Sequence, residues 1–284
     1  MQELGRLTAL TFLHLGGYNL VTNEGLQMLR SLPALTSFDL NCCKLTADGA
    51  QTLRSLTALT SLDLGGCGGV TEEWLQPLGS LTALTSLHLC TCTYLLVTSE
   101  GLQPLTSLTA LTSLSLGSTN VTNEGLQVLS SLTALTSLYL YYCDQVTDAG
   151  LQTLRGLAAL TSLDLAGCHQ VTGEGLQSLR GLTALTSLDL TGCSILTQHE
   201  HEGLPALCSL TALTCLKMCH CSQVILEPRS RRILQRGIGG SLSVACCNEC
   251  NPYSTEYEIT ITPTPMDWNG ITLDDDIMMH IIVG

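Results

Sequence analysis

Basic residues are scarce in this chain: 11 Lys and Arg stand against 24 Asp and Glu, a formal charge of −13. Nucleic-acid recognition needs a positive surface that displaces counterions from phosphate, so this balance argues against a nucleic-acid reader and biases encounter toward basic partners. Aromatics are scarce as well, at 4%, so any cluster of them stands out. No apolar run approaches the ~20 residues of a spanning helix, and no basic segment with an apolar stretch and small-residue cleavage site opens the chain. These absences predict a soluble, unsecreted, intracellular protein of cytoplasm or nucleus with no membrane partner. Catalytic signatures are also missing: there is no nucleophile elbow, no phosphate-cradling glycine loop, and no acid/base pair that departs from the repeated sequence. The expectation is a non-enzyme that uses no cofactor.

What is present is repetition. The pattern L-x-x-L-x-L-x-x-C starts at Leu7, Leu32, Leu56, Leu81, Leu108, Leu132, Leu157, Leu182 and Leu210, at spacings of 24 to 28 residues, which makes nine units with the last degenerate. In Leu59, Leu62 and Leu64 the spacing changes from three to two, the change from a turn into a short strand with alternating faces. Leu62 and Leu64 should point inward and Ser61, Asp63 and Gly65 outward. A V-T-x-E-G-L-Q-x-L segment follows, as in Val121 to Leu129. Thr122 can cap a helix there, Glu124 suits its positive end, and Leu126 and Leu129 share a face. One unit buries too little to fold alone, so the prediction is an α/β solenoid, a horseshoe with a parallel concave β-sheet and short convex helices.

The chain contains 15 cysteines, but seven of them, Cys43, Cys67, Cys92, Cys143, Cys168, Cys193 and Cys221, share one repeat position. That placement points to packing, with thiols meeting loop backbone, and not to a disulfide framework. Pro77 and Pro104 fall where a helix needs a backbone donor and predict short or distorted convex segments. Extra residues between Cys92 and Val97, and from Thr197 to Pro205, read as bulging loops.

The combination of L-x-x-L-x-L-x-x with C-x-x-(V/L)-T-x-E-G-L resembles the cysteine-containing class of leucine-rich repeats found in F-box leucine-rich-repeat proteins, over Leu7 to Cys221. The resemblance implies a horseshoe that holds a protein substrate, while a separate helical F-box module recruits a ubiquitin-ligase scaffold. No such module is visible in the sequence. Leu4-Gly5-Arg6-Leu7 matches the repeat end Leu78-Gly79-Ser80-Leu81, so the array is expected to start without an N-terminal cap, as in a fragment. The array spans 1–226. A cap helix is expected over 227–240, where Arg229, Arg231, Arg232 and Arg236 gather, and residues 241–284 receive no fold assignment.

Function must then lie in the exposed repeat positions. The outward residue of each strand is His14, Asp39, Asp63, His88, Ser115, Tyr139, Asp164, Asp189 or Lys217, a stripe at strand spacing. Its Asp39/Asp63 and Asp164/Asp189 pairs, the first flanked by His14 and His88, would attract a basic peptide. Tyr139, Tyr141 and Tyr142 gather in the sixth repeat beside the small Ser115, Gly117 and Ser118 of the fifth, and would border a shallow pocket for an anchor side chain. Metal binding is not expected. Cys247-Asn-Glu-Cys250 is a single C-x-x-C near Cys215, Cys219, His220, Cys221 and Cys246. His199-Glu200-His201 offers two ligands in a polar insertion. Asn120-Val121-Thr122 matches a glycosylation sequon but belongs to the recurring V-T turn. The leading expectation is a protein-binding scaffold. The alternatives are the substrate-recognition part of an SCF-type ubiquitin ligase and a structural or truncated array with no specific partner.

Overall fold

The computed structural model describes residues 7–17, 21–44, 46–92, 95–194 and 203–218, and the backbone of 241–245 and 258–262. Nine parallel three-residue strands run through it: β1 (Phe12–His14), β2 (Ser37–Asp39), β3 (Ser61–Asp63), β4 (Ser86–His88), β6 (Ser113–Ser115), β8 (Ser137–Tyr139), β9 (Ser162–Asp164), β10 (Ser187–Asp189) and β11 (Cys215–Lys217). Each starts five residues after a repeat-initial leucine, so the register read from the sequence is the register of the sheet.

The strand length follows from two turns that bracket each unit. Before the strand, Leu59 N–H donates to the Leu56 carbonyl at 3.0 Å, and after it Cys67 N–H donates to Leu64 at 3.2 Å. Only the residues between the turns are free to pair sideways. Every strand pairs with the next one residue for residue, Leu62 against Leu87 and Leu114 against Leu138 for example. The leucines stack into ladders on the inner side, where Leu59, Leu62, Leu64, Leu87, Leu138 and Leu163 are buried. Each buried leucine contributes roughly 1.5–3 kcal/mol relative to exposure. In the first repeat Leu7 stays exposed, and Phe12 is exposed because it holds the outward position that pairs with Ser37.

Opposite the sheet lie short helices: α1 (Asn23–Gln27), α2 (Ala47–Leu53), α3 (Glu72–Leu78), α4 (Ser99–Leu102), α5 (Asn123–Leu129), α6 (Asp148–Thr153), α7 (Gly173–Leu176) and α8 (Leu204–Leu207). Thr122 caps α5, its hydroxyl accepting from Gly125 N–H at 3.2 Å, and Thr22 and Thr98 do the same for α1 and α4. The caps are also tied between repeats. Asp148 accepts from the Thr172 hydroxyl at 2.6 Å, and Glu72 accepts from that of Thr98 at 2.6 Å.

Two expectations need correction. Pro77 sits inside α3, which at seven residues is as long as α5. Pro104 does fall in a 3₁₀ continuation of the four-residue α4, but α7, which has no proline, also stops after four residues and continues as 3₁₀. Proline therefore does not set helix length here. The extra residues before Val97 also do more than bulge. Leu95 is buried, and β5 (Leu96–Val97) pairs in parallel with β7 (Asn120–Val121) as a second small sheet. Toward the C-terminus, β13 (Glu258–Thr262) adds antiparallel to β11 and β12 (Ser241–Ala245) adds antiparallel to β13, so the main sheet has eleven strands among the described residues.

Candidate functional site

The sheet face away from the leucines is built in rows, and each row has its own chemistry. The innermost is a threonine row that the sequence reading missed. The Thr36 hydroxyl donates to the Thr11 carbonyl at 3.0 Å, and the same carbonyl takes the N–H groups of Thr36 and Ser37 at 2.8 and 2.9 Å. The arrangement recurs from Thr36 through Thr214, where Thr214 donates to Thr186. Its signal in the sequence was the recurring L-T-x-L beginning of the strands, with Phe38 in place of leucine in the second repeat. Next comes a row of serines, Ser37, Ser61, Ser86, Ser113, Ser137, Ser162 and Ser187, all half-buried and in register.

The stripe of His14, Asp39, Asp63, His88, Ser115, Tyr139, Asp164, Asp189 and Lys217 follows, each residue paired in register with the next. His14 Nδ1 lies 2.5 Å from Asp39 Oδ2, and the Lys217 ammonium lies 3.7 Å from Asp189 Oδ2. The aspartates also have a local duty that patterning did not reveal. Oδ1 of Asp39, Asp63, Asp164 and Asp189 accepts the backbone N–H two residues on, at 2.8 to 3.0 Å, which fixes the strand exit. Burial above all, with neighbouring Asp189 adding to it, holds the Asp164 carboxyl above its ordinary range. The Ala166 N–H and Lys217 act in the opposite direction.

The tyrosines do not frame an empty pocket. A Cβ on Gly117 would fall inside the Tyr141 ring, so that ring occupies the space the small residues leave. Its hydroxyl reaches the side chains of Cys90 and Ser115, and burial pushes the phenol above its ordinary range. Tyr142, 62% exposed, lies over Gly167 and meets Tyr141 edge to face, with ring centroids 6.3 Å apart. Tyr139 remains half-buried in the stripe. The clue was in the sequence, in the glycine one repeat before Tyr141 and the glycine one repeat after Tyr142. Gly117, with Ser115 and Ser118, leaves not the shallow pocket expected from the sequence but the room that the Tyr141 ring takes up.

At the turn after each strand, Cys43, Cys67, Cys92, Cys143, Cys168 and Cys193 are buried, and their thiols donate to the strand-exit leucine carbonyl of an earlier repeat at 3.0 to 3.3 Å. Burial pushes the thiols of Cys67, Cys92 and Cys168 up to about 12 and that of Cys143 to about 11, leaving them protonated and unreactive. Among the described residues no disulfide forms, and no group of three or more His, Cys, Asp or Glu is arranged to hold a metal ion. His199, His201, Cys219, Cys221, Cys247, Cys250 and the arginines from Arg229 to Arg236 lie outside the described residues. No helix of the described residues is long and apolar enough to cross a membrane.

Parallel strands in unbroken register, leucine ladders within and short helices behind them define a leucine-rich-repeat solenoid. Comparison with known proteins agrees. A leucine-rich-repeat family model matches residues 31–53, 107–130 and 158–179. No curated protein matches the chain at a significant level. Among solved structures it is similar to an internalin C2 from Listeria monocytogenes, at 24% identity over 73% of this chain and 80% of that one, with a TM-score of 0.55. It is also similar to TLR13 in a complex with ssRNA13, at 22% identity and a TM-score of 0.52, over 76% of this chain but 33% of that one. Likeness at this level is likeness of fold.

Proposed function

We propose that this chain is a non-enzymatic scaffold that holds another protein on the concave sheet, the contacting segment being basic. The observation that carries this reading is the stripe itself: nine consecutive strands present His14, Asp39, Asp63, His88, Ser115, Tyr139, Asp164, Asp189 and Lys217 to one face in continuous register, beside the exposed Tyr142. Such a surface is broad and continuous, with charge and aromatic contact area, and it suits a polypeptide better than a small molecule. Single-stranded RNA, the ligand in the TLR13 structure, fits poorly with a chain of net charge −13. Protonated thiols in a buried ladder suit a reducing compartment, and we place the protein in the cytoplasm or nucleus.

The test is affinity purification of the tagged chain beside two variants: Ser137→Arg, which sets a bulky cation on the sheet floor, and Tyr139→Ser/Tyr141→Ser/Tyr142→Ser. A protein recovered with the parent and lost from both supports the reading. A partner retained by both removes the concave face from the interaction. The cysteine ladder, with its V-T-x-E-G-L helix starts, favours a second reading, the substrate-recognition part of an SCF-type ubiquitin ligase. Recovery of ligase scaffold components in the same purification would establish it, and their absence alongside a reproducible partner would exclude it.

A further inference from the structure

The four stripe aspartates are not equivalent. Asp39 is held by His14 and Asp189 by Lys217, so the outer carboxylate of each pair meets a basic side chain within the stripe. The inner two differ. Asp63 and Asp164 each commit Oδ1 to their own strand exit, at 2.8 and 2.9 Å, and among the described residues neither forms an ion pair. Asp164 is also the carboxylate whose burial disfavours its charge, so it gains more from an incoming cation than an exposed acid would. Between the two lie His88, Ser115 and Tyr139, with no carboxylate among them. Ser115, 4% exposed, keeps the floor low there, and Tyr141 and Tyr142 border it at the strand exits.

The separation has a definite length. From β3 to β9 the sheet runs through β4, β6 and β8, four strand spacings, or about 19 Å at ~4.8 Å each. We propose that the stripe takes an extended basic peptide segment lying across the strands, with cationic side chains six residues apart, one on Asp63 and the other on Asp164. Six residues of extended chain span about 20 Å, and the even count puts both cations on the same side of the peptide. The two residues that face the floor between them meet the His88, Ser115 and Tyr139 stretch and should be small or polar. A helical segment would need about 13 residues to cover the same gap. This inference rests on the concave-face reading above and specifies its partner.

The experiment uses the full chain and labelled synthetic peptides of Gly, Ser and Ala carrying two arginines at spacings of three, six or nine, followed by fluorescence anisotropy. Spacing six should bind roughly tenfold more tightly than the others. Asp63→Asn and Asp164→Asn should each abolish that preference while keeping an oxygen for the strand-exit N–H, and a matched thermal melt will show that each variant is folded. Glu124→Gln, which removes an exposed carboxylate of α5 on the helix side, should leave the preference intact. Equal affinity at all spacings, a preference carried only by a helical peptide with cations 13 residues apart, or a preference indifferent to Asp63 and Asp164 would each overturn the inference. If spacing has no effect but Ser137→Arg still removes the natural partner, the inference falls and the concave-face reading stands. If Ser137→Arg leaves the natural partner bound, the reading itself falls.

Discussion

The two sides of this solenoid obey different degrees of discipline. On the sheet side all nine parallel strands are three residues long and start at one offset from their leucine, while on the helix side the segments range from four to seven residues and several run on as 3₁₀ turns. The difference lies in how many bonds cross between repeats. Each threonine carbonyl at the strand start receives up to three donors from the next repeat, and each ladder cysteine returns a thiol to an earlier one. A strand one residue longer or out of step would leave several buried polar groups unpaired, each costing about 1–3 kcal/mol. The helices are joined across repeats by single side chains such as Asp148 and Glu72, so they tolerate variation.

Alkaline titration should break this comparison most severely, because four of the thiols it deprotonates belong to the turns after the strands. The folded chain keeps the thiol protons of Cys67, Cys92 and Cys168 to about 12 and that of Cys143 to about 11, whereas the unfolded chain releases them from about 9. Between those values the unfolded state binds fewer protons, so stability is complete below pH 9 and falls as pH rises. A urea midpoint lower at pH 10.5 than at pH 8, with a smaller drop in Cys168→Ala, is the expected result. An unchanged midpoint would mean that the thiols are not buried donors.

Removing one side chain from the sheet side should cost less but still much. Leu138, fully buried between Leu114 and Leu163 in the central ladder, should lose ~2–5 kcal/mol on change to Ala. Thr133→Ala, on the exposed turn of the same repeat, should fall within ~0.5 kcal/mol. Equal shifts in a urea melt would refute the register.

How legible the molecule was in its sequence follows the same division. The period-two leucines fix strand positions to the residue, because burial on one face admits one register, and the same alternation specifies the stripe from His14 to Lys217. The helix side was less legible. Pro77 implies a short or distorted segment although α3 accommodates it, and the residues between Cys92 and Val97 imply a bulging loop although Leu96 pairs with Asn120. At the candidate site, position was legible and conformation was not. The glycines one repeat from Tyr141 and Tyr142 marked where room was left but not that the rings would fill it, and no residue type said that the aspartates would each spend an oxygen on the strand exit, because both depend on which way a side chain turns.

A test of the helix side comes next in size. Gly125 packs so closely on the preceding repeat that a Cβ there would sit 2.6 Å from the Val97 carbonyl oxygen, a backbone atom already accepting the Thr122 N–H. Gly125→Ala should therefore cost ~1–3 kcal/mol despite alanine's better helix propensity. A gain in thermal stability would show that adjacent helices part freely, and the looseness inferred for this side would then extend to its spacing.

The smallest effect should be a gain, on the sheet side. The second turn residue after each of the first eight strands has positive φ: Gly17, Cys42, Gly66, Thr91, Ser118, Tyr142, Gly167 and Gly192. The ladder demands this conformation of every repeat, since that residue's N–H must reach the next turn, as Thr91 does to Gly117 at 2.8 Å. Four repeats meet the demand with glycine and four do not. Thr91, at φ 57° and β-branched, is the worst suited of these. Left-handed backbone costs a non-glycine residue ~1–2 kcal/mol, and glycine's greater freedom when unfolded takes back part of the relief, so Thr91→Gly should stabilise by ~0.5–1 kcal/mol. The same change at Thr85, whose hydroxyl belongs to the threonine row, should destabilise. If both substitutions lower the melting temperature, the turn is not strained at Thr91, and the uniformity of the sheet side carries no local penalty there.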